Sequence, residues 1–222
     1  MSDIELHYVE RGNGEPLILL HGNGEDNSCF QHQVPYLAQS FRVIALDTRG
    51  HGKSPRGTAP FTLVQFARDL DEFMDAREIE SAHLFGFSDG ANIALLFALE
   101  HPERTKSLVL NGGNLYPEGL AQGVRRGIAD EYERALSAGD EREVELLRLM
   151  IDEPHIEPAG LAMLDMPTLV VAGTDDMITE EHTRLIARSI PGSVLRFVEG
   201  SHFVAAENPE AFNRVLADFY GI

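Results

Sequence analysis

The segment Gly86-Phe87-Ser88-Asp89-Gly90 fits the pattern G-x-S-x-G. It follows a mostly apolar stretch ending at Phe87 and opens an Ala- and Leu-rich stretch over 89–100. A serine on so sharp a strand-to-helix turn projects its hydroxyl outward, where it can attack a carbonyl carbon. Side chains two residues to either side would collide across the turn, and glycine at 86 and 90 removes them. The small Ala91 lets the new helix lie close to the sheet. A serine hydroxyl is a weak nucleophile at neutral pH and needs a neighbouring base. Ser88 is the candidate nucleophile for acyl transfer, and the rest of the chain must supply a base, an acid and an oxyanion site.

Nine histidines are available. His202, in Glu199-Gly200-Ser201-His202-Phe203, follows the last apolar stretch and precedes the last helical one. In a parallel sheet that loop emerges at the same edge as the turn carrying Ser88. Other histidines sit less well. His7 falls in the first strand pattern, His32 and His182 in helical surface patterns, His101 at a helix end and His155 in a helical insertion. For the acid, Gly173-Thr174-Asp175-Asp176 follows the apolar stretch 168–172, so both carboxylates are eligible. The loop His21-Gly22-Asn23-Gly24 follows the apolar stretch 17–20. Its backbone at Asn23, with that of Asp89 after the nucleophile, is expected to hold the developing oxyanion. The His21 ring is expected to brace this loop rather than to do chemistry.

These loops need a frame. Residues 4–9 alternate apolar and polar as a half-buried strand would, and 12–16 reads as a turn. The stretches 17–20, 41–46, 82–87, 107–110 and 168–172 are short and apolar, which suits strands buried on both faces, and 194–198 is the last candidate. Helical patterns separate them over 61–76, 89–100, 180–189 and 209–220. Such alternation predicts an α/β protein with a mostly parallel sheet and helices on both faces. Residues 115–166 break the alternation and read as a short helical lid. Its stripe is Val144, Leu147 and Ile151, and Gly119, Gly123, Gly127, Gly139, Pro154 and Pro158 are expected to cut it into short pieces. The division is 1–114 and 167–222 as two parts of one core, with 115–166 inserted between them.

Of the 222 residues, 36 are acidic and 18 are Lys or Arg, for a net charge of -18. That balance excludes nucleic acid and anionic membrane surfaces as expected partners, and suggests a small, mostly neutral substrate. The single cysteine, Cys29, forms no internal disulfide. No apolar run approaches the roughly 20 residues of a membrane span, and residues 1–11 show no signal-peptide core, so a cytoplasmic protein is expected. No spacing suggests a metal site, and no glycine-rich loop suggests a nucleotide, so no cofactor is expected.

Over nearly its whole length the chain resembles the α/β-hydrolase superfamily, close to its small-esterase, enol-lactonase and haloperoxidase-like branches. The resemblance rests on the Ser88 turn, on His21-Gly22, on Asp47-Thr48-Arg49-Gly50-His51-Gly52-Lys53-Ser54 and on the order Ser, Asp, His. It implies that the acid lies three residues after the strand-ending Gly173, which selects Asp176 over Asp175. It also implies that the loop from Asp47 to Ser54 is architectural. The chain begins at what corresponds to the family's second strand, so about seven strands are expected. A serine rather than an aspartate at the turn argues against dehalogenase and epoxide-hydrolase chemistry. The expected activity is a serine hydrolase cleaving carboxylic esters through an acyl-enzyme. A thioesterase, lactonase, amidase or C–C bond hydrolase could use the same residues, and a catalytically weak ligand-binding protein could use the same fold. By position, Phe30, Phe87, Leu115, Tyr116 and Phe203 are candidates to line the pocket.

Overall fold

The computed structural model describes residues 3–222. Seven strands form one sheet: β1 (Tyr8–Arg11), β2 (Pro16–Leu20), β3 (Arg42–Leu46), β4 (Ala82–Phe87), β5 (Thr105–Asn111), β6 (Thr168–Asp175) and β7 (Val194–Ser201). Their order is β1-β3-β2-β4-β5-β6-β7. Only β1 runs antiparallel to its neighbour, and every other pairing is parallel. The fold is thus α/β, with β2 and β4 at the centre of the sheet.

The apolar stretches work as two-faced strands. Ile18 and Leu20 of β2 join one core with Ile44, Leu84 and Leu110, whereas Leu17 and Leu19 join another with Val43, Phe85 and Val109. Among the described residues eight α-helices accompany the strands: α1 (Val34–Leu37), α2 (Leu63–Ala76), α3 (Asp89–Glu100), α4 (Gln122–Ala138), α5 (Glu141–Asp152), α6 (Glu180–Ser189), α7 (Val204–Glu207) and α8 (Pro209–Tyr220). Helices α2, α3 and α6 pack on the first face through Phe66, Leu70, Ile93, Phe97 and Ile186. Leu37 of α1, Val204 of α7 and Phe212 and Leu216 of α8 cover the second. Helix α2 begins two residues later than the pattern suggested, because the Thr62 hydroxyl caps it by accepting from the Gln65 N–H.

Three expectations need correction. The first strand is Tyr8–Arg11 rather than 4–9, because pairing with β3 starts at Tyr8 opposite Leu46. Just before it, the His7 N–H donates to the Ser54 hydroxyl and the His7 ring bonds Asp47, so this stretch is held by side chains. Gly123 and Gly127 do not break the insertion; both lie inside the 17-residue α4. A Cβ at either position would meet nothing within 4 Å, so their face is open. The helix does stop at Gly139, whose φ is 70°, a left-handed conformation that glycine adopts without strain. Finally, Ile151 is exposed, and Leu149 turns into the main core instead. Leu147, Ile128, Ala135, Leu120 and Ile178 form a separate small cluster beneath α4 and α5.

No helix among the described residues is long and apolar enough to cross a membrane.

Candidate active site

Ser88 stands between β4 and α3 with φ 54° and ψ -120°, a strained conformation for a residue with a side chain. The strain is held from three sides. Its N–H donates to the Asn111 carbonyl at the end of β5 (2.8 Å), and its own carbonyl accepts from Ala91 and Asn92 in the first turn of α3. The flanking glycines leave no room for alternatives. A Cβ on Gly90 would lie 1.9 Å from the Leu20 carbonyl oxygen, and one on Gly86 would lie 2.1 Å from the Gly90 oxygen. Gly90→Ala is therefore expected to destabilise the fold by roughly 3–4 kcal/mol, since only backbone movement of β2 could relieve the clash. Urea unfolding measures this, and a loss below about 1 kcal/mol would show that the elbow has slack.

The Ser88 hydroxyl lies 3.0 Å from Nε2 of His202. Nδ1 of the same ring lies 2.7 Å from Oδ1 of Asp176, which also accepts the Ile178 N–H. With Nδ1–H donating to the carboxylate, Nε2 is left with a lone pair that can accept the Ser88 hydroxyl hydrogen. His202 is 5% exposed and the Asp176 side chain is equally enclosed. Asp175, eligible by sequence, is exposed. A Cβ on Gly112 would come within 2.8 Å of the His202 ring, so this glycine makes the slot for the imidazole. Sequence reasoning missed Gly112; the Gly112-Gly113 pair at the end of β5 was the available signal.

The loop after β2 presses against the nucleophile. A Cβ on Gly22 would lie 3.1 Å from Ser88 Cβ. Among the described residues, neither the Asn23 nor the Asp89 backbone N–H donates a hydrogen bond, so both are available to an incoming oxygen. The Asn23 side chain donates to the Leu146 carbonyl of α5 at 2.8 Å. His21 is buried and braces the loop: Nδ1 bonds the Gly22 carbonyl and Nε2 accepts the Thr48 N–H. Burial holds its pKa below the usual histidine value. Asp47 gathers the Asn27 and Lys53 N–H groups and the His7 ring.

A cavity of about 90 Å³ is lined by Glu25, Cys29, Phe30, Phe87 and Phe203 among others, and neither Ser88 nor His202 is part of its wall. The Phe87 and Phe203 rings pack on the His202 ring, with centroids at 4.9 and 5.6 Å. Leu115 and Tyr116 do not line it. Leu115 is 0% exposed in the main core, and Tyr116 stands edge-on to His182. His182 itself is buried rather than on a helix surface, and its Nε2 accepts the Leu115 N–H. Burial, with Glu25 and Asp26 nearby, pushes the Cys29 thiol far above the range in which it could serve as a nucleophile.

The Asp89 side chain carries a signal that its sequence position did not. Burial, reinforced by the Glu153 carboxylate, pushes its carboxyl up to about 7. Between 3.8 and about 7 the folded chain holds a proton that the unfolded chain has released, so this group lowers stability as pH rises through that window. Asp89→Asn should remove the penalty. The expected result is a melting-temperature gain over the parent that is negligible near the lower bound, grows towards the upper one and then levels off. A constant difference across the window would contradict it.

Among the described residues, no group of three or more His, Cys, Asp or Glu side chains is arranged to hold a metal ion.

A family model described as the alpha/beta hydrolase fold matches residues 15–148, more than half of the chain. The chain belongs to the alpha/beta hydrolase fold family. Within that family it is 27% identical to a protein of Azorhizobium caulinodans named "Putative carbamate hydrolase RutD", over 99% of this chain and 96% of that one. It is 29% identical to 2-hydroxy-6-oxononadienedioate/2-hydroxy-6-oxononatrienedioate hydrolase of Paraburkholderia xenovorans, over 98% and 91%. Among solved structures, the enol-lactonase from Burkholderia xenovorans LB400 superposes with a TM-score of 0.83 at 25% identity, covering 99% of this chain and 97% of that one. An alpha/beta hydrolase with these relatives is a hydrolase.

Proposed function

We propose that the protein is a serine hydrolase that cleaves carboxylic esters of small, mostly neutral substrates through an acyl-enzyme. The observation that supports this reading is the relay from the Ser88 hydroxyl to His202 at 3.0 Å and on to Asp176 at 2.7 Å. His202 Nε2 takes the Ser88 proton as the oxygen bonds to the ester carbon. The carbonyl oxygen becomes negative and accepts from the Asn23 and Asp89 N–H groups. The carbon–alkoxy bond breaks, and His202 returns the proton to the departing alcohol. Water then repeats the cycle and frees the acid. Asp176 keeps the imidazole in the required tautomer and supports its charged form throughout. The segment between β5 and β6 covers this site as a lid.

The relatives' names span a lactone, a carbamate and an oxo-diene diacid, so carbonyl attack is common and the leaving group varies. A fluorophosphonate probe should label Ser88 and no other residue; labelling elsewhere would move the site. Turnover of matched ester, thioester, lactone and amide substrates then ranks the leaving groups, and the ester should rank first. Tight binding with negligible turnover across the panel would instead make the chain a binding protein.

A further inference from the structure

Asp89 is next to the nucleophile in the chain and is 9% exposed. Its Oδ1 has one long contact, to Asn92 Nδ2 at 3.4 Å, and its Oδ2 is buried with no hydrogen-bond partner among the described residues. Asn92 is committed elsewhere. Its Nδ2 donates to Asn114 Oδ1 at 3.0 Å, and its Oδ1 accepts the Asn114 N–H at 2.9 Å. The charged groups that act on Asp89 are the His202 imidazole and the Glu153 carboxylate at the end of α5, with no Lys or Arg among them. Glu153 is itself half-buried, held by the Leu63 N–H at 2.7 Å, and burial raises its pKa. Glu25 Oε2 is also buried, 3.1 Å from where a Cβ on Gly22 would stand, as is Ser88 Cβ.

A buried carboxylate without a partner is costly, and a second one beside it makes matters worse. A positive charge is what would resolve both. We infer that Asp89, with Glu153 behind it, is the counter-ion for a protonated amino group on the substrate, so that the preferred substrates are esters of α-amino acids. The reach follows from covalent structure. Asp89 offers the oxyanion its backbone N–H and the amine its side chain, so the two substrate groups must be close neighbours. An amine on the carbon next to the scissile carbonyl meets that requirement. An ammonium brings three donors, one of which can meet the free Asp89 oxygen. The inference rests on the ester-hydrolase reading of the site and replaces its mostly neutral substrate with a cationic one.

The test uses three benzyl esters with the full chain: alanine, propanoic acid, which lacks the amine, and N-acetylalanine, in which it is uncharged. The alanine ester should have the highest kcat/KM, by about tenfold or more, as a charge-assisted hydrogen bond is worth. Asp89→Asn, which keeps the backbone N–H, should bring the ratio of alanine to propanoate ester close to one, and Glu153→Gln should lower it part of the way. A merely structural Asp89 would shift the melting temperature and scale all three esters together, leaving the ratio intact, which overturns the inference. So does equal turnover by the parent, and the ester-hydrolase reading then survives. Calorimetric binding to Ser88→Ala gives a readout without turnover. The alanine ester should bind more tightly than the propanoate ester, and equal binding overturns the inference whether or not any ester is cleaved.

Discussion

Ser88→Ala should lower kcat on a short p-nitrophenyl ester by about 10⁴- to 10⁶-fold without unfolding the protein. The size of the effect follows from what the hydroxyl does. In the proposed mechanism it forms the covalent bond to the acyl carbon, and the nearby thiol is a poor substitute. The Cys29 thiol is held protonated by burial and by Glu25 and Asp26. The elbow should persist, because the Ser88 side chain makes no contact that holds it. Its backbone N–H bonds Asn111 and its carbonyl bonds Ala91 and Asn92, and alanine keeps all three. Steady-state kinetics alongside a melting curve separate the two effects. A variant that folds normally and retains more than about a hundredth of the parent rate would refute Ser88 as nucleophile.

The second large effect is expected at Asp176. Asp176→Asn should cost about 10⁴-fold in kcat while KM changes little. The carboxylate oxygen that takes the His202 Nδ1–H also takes the Ile178 N–H. An amide keeps the shape but loses the charge that supports the imidazolium, and its NH₂ turned towards the ring would force the proton onto Nε2, where it blocks the base. The same change at the exposed Asp175 should leave the rate near that of the parent. A pair of variants with the reverse ranking would assign the acid to the neighbour.

Much of the sheet was legible because its strands are short apolar runs buried on both faces, as Leu17 to Leu20 show. The elbow was legible because backbone sterics demand glycine at 86 and 90. What failed was whatever depended on partners distant in sequence. The alternation at 4–9 is genuine, yet His7 is claimed by Ser54 and Asp47, so the strand starts at Tyr8. His182 looked solvent-facing until the Leu115 N–H was found to cap its ring. By position Tyr116 is only a candidate for the pocket, and the chain turns it onto His182. The Asp89 side chain was passed over because periodicity cannot say whether a carboxylate will find a cation. Its relevance lies in Asn92 being engaged by Asn114, a fact about three side chains meeting in space.

The Gly90 contact with the Leu20 carbonyl has a consequence for how this site can be changed. It welds the turn carrying Ser88 to β2, a central strand of the molecule, so the hydroxyl has a fixed address. Engineers or evolution cannot shift it to suit a bulkier acid without deforming the whole platform. Diversity would come instead from the proposed lid, α4 and α5 above all, and libraries aimed at new substrates belong there.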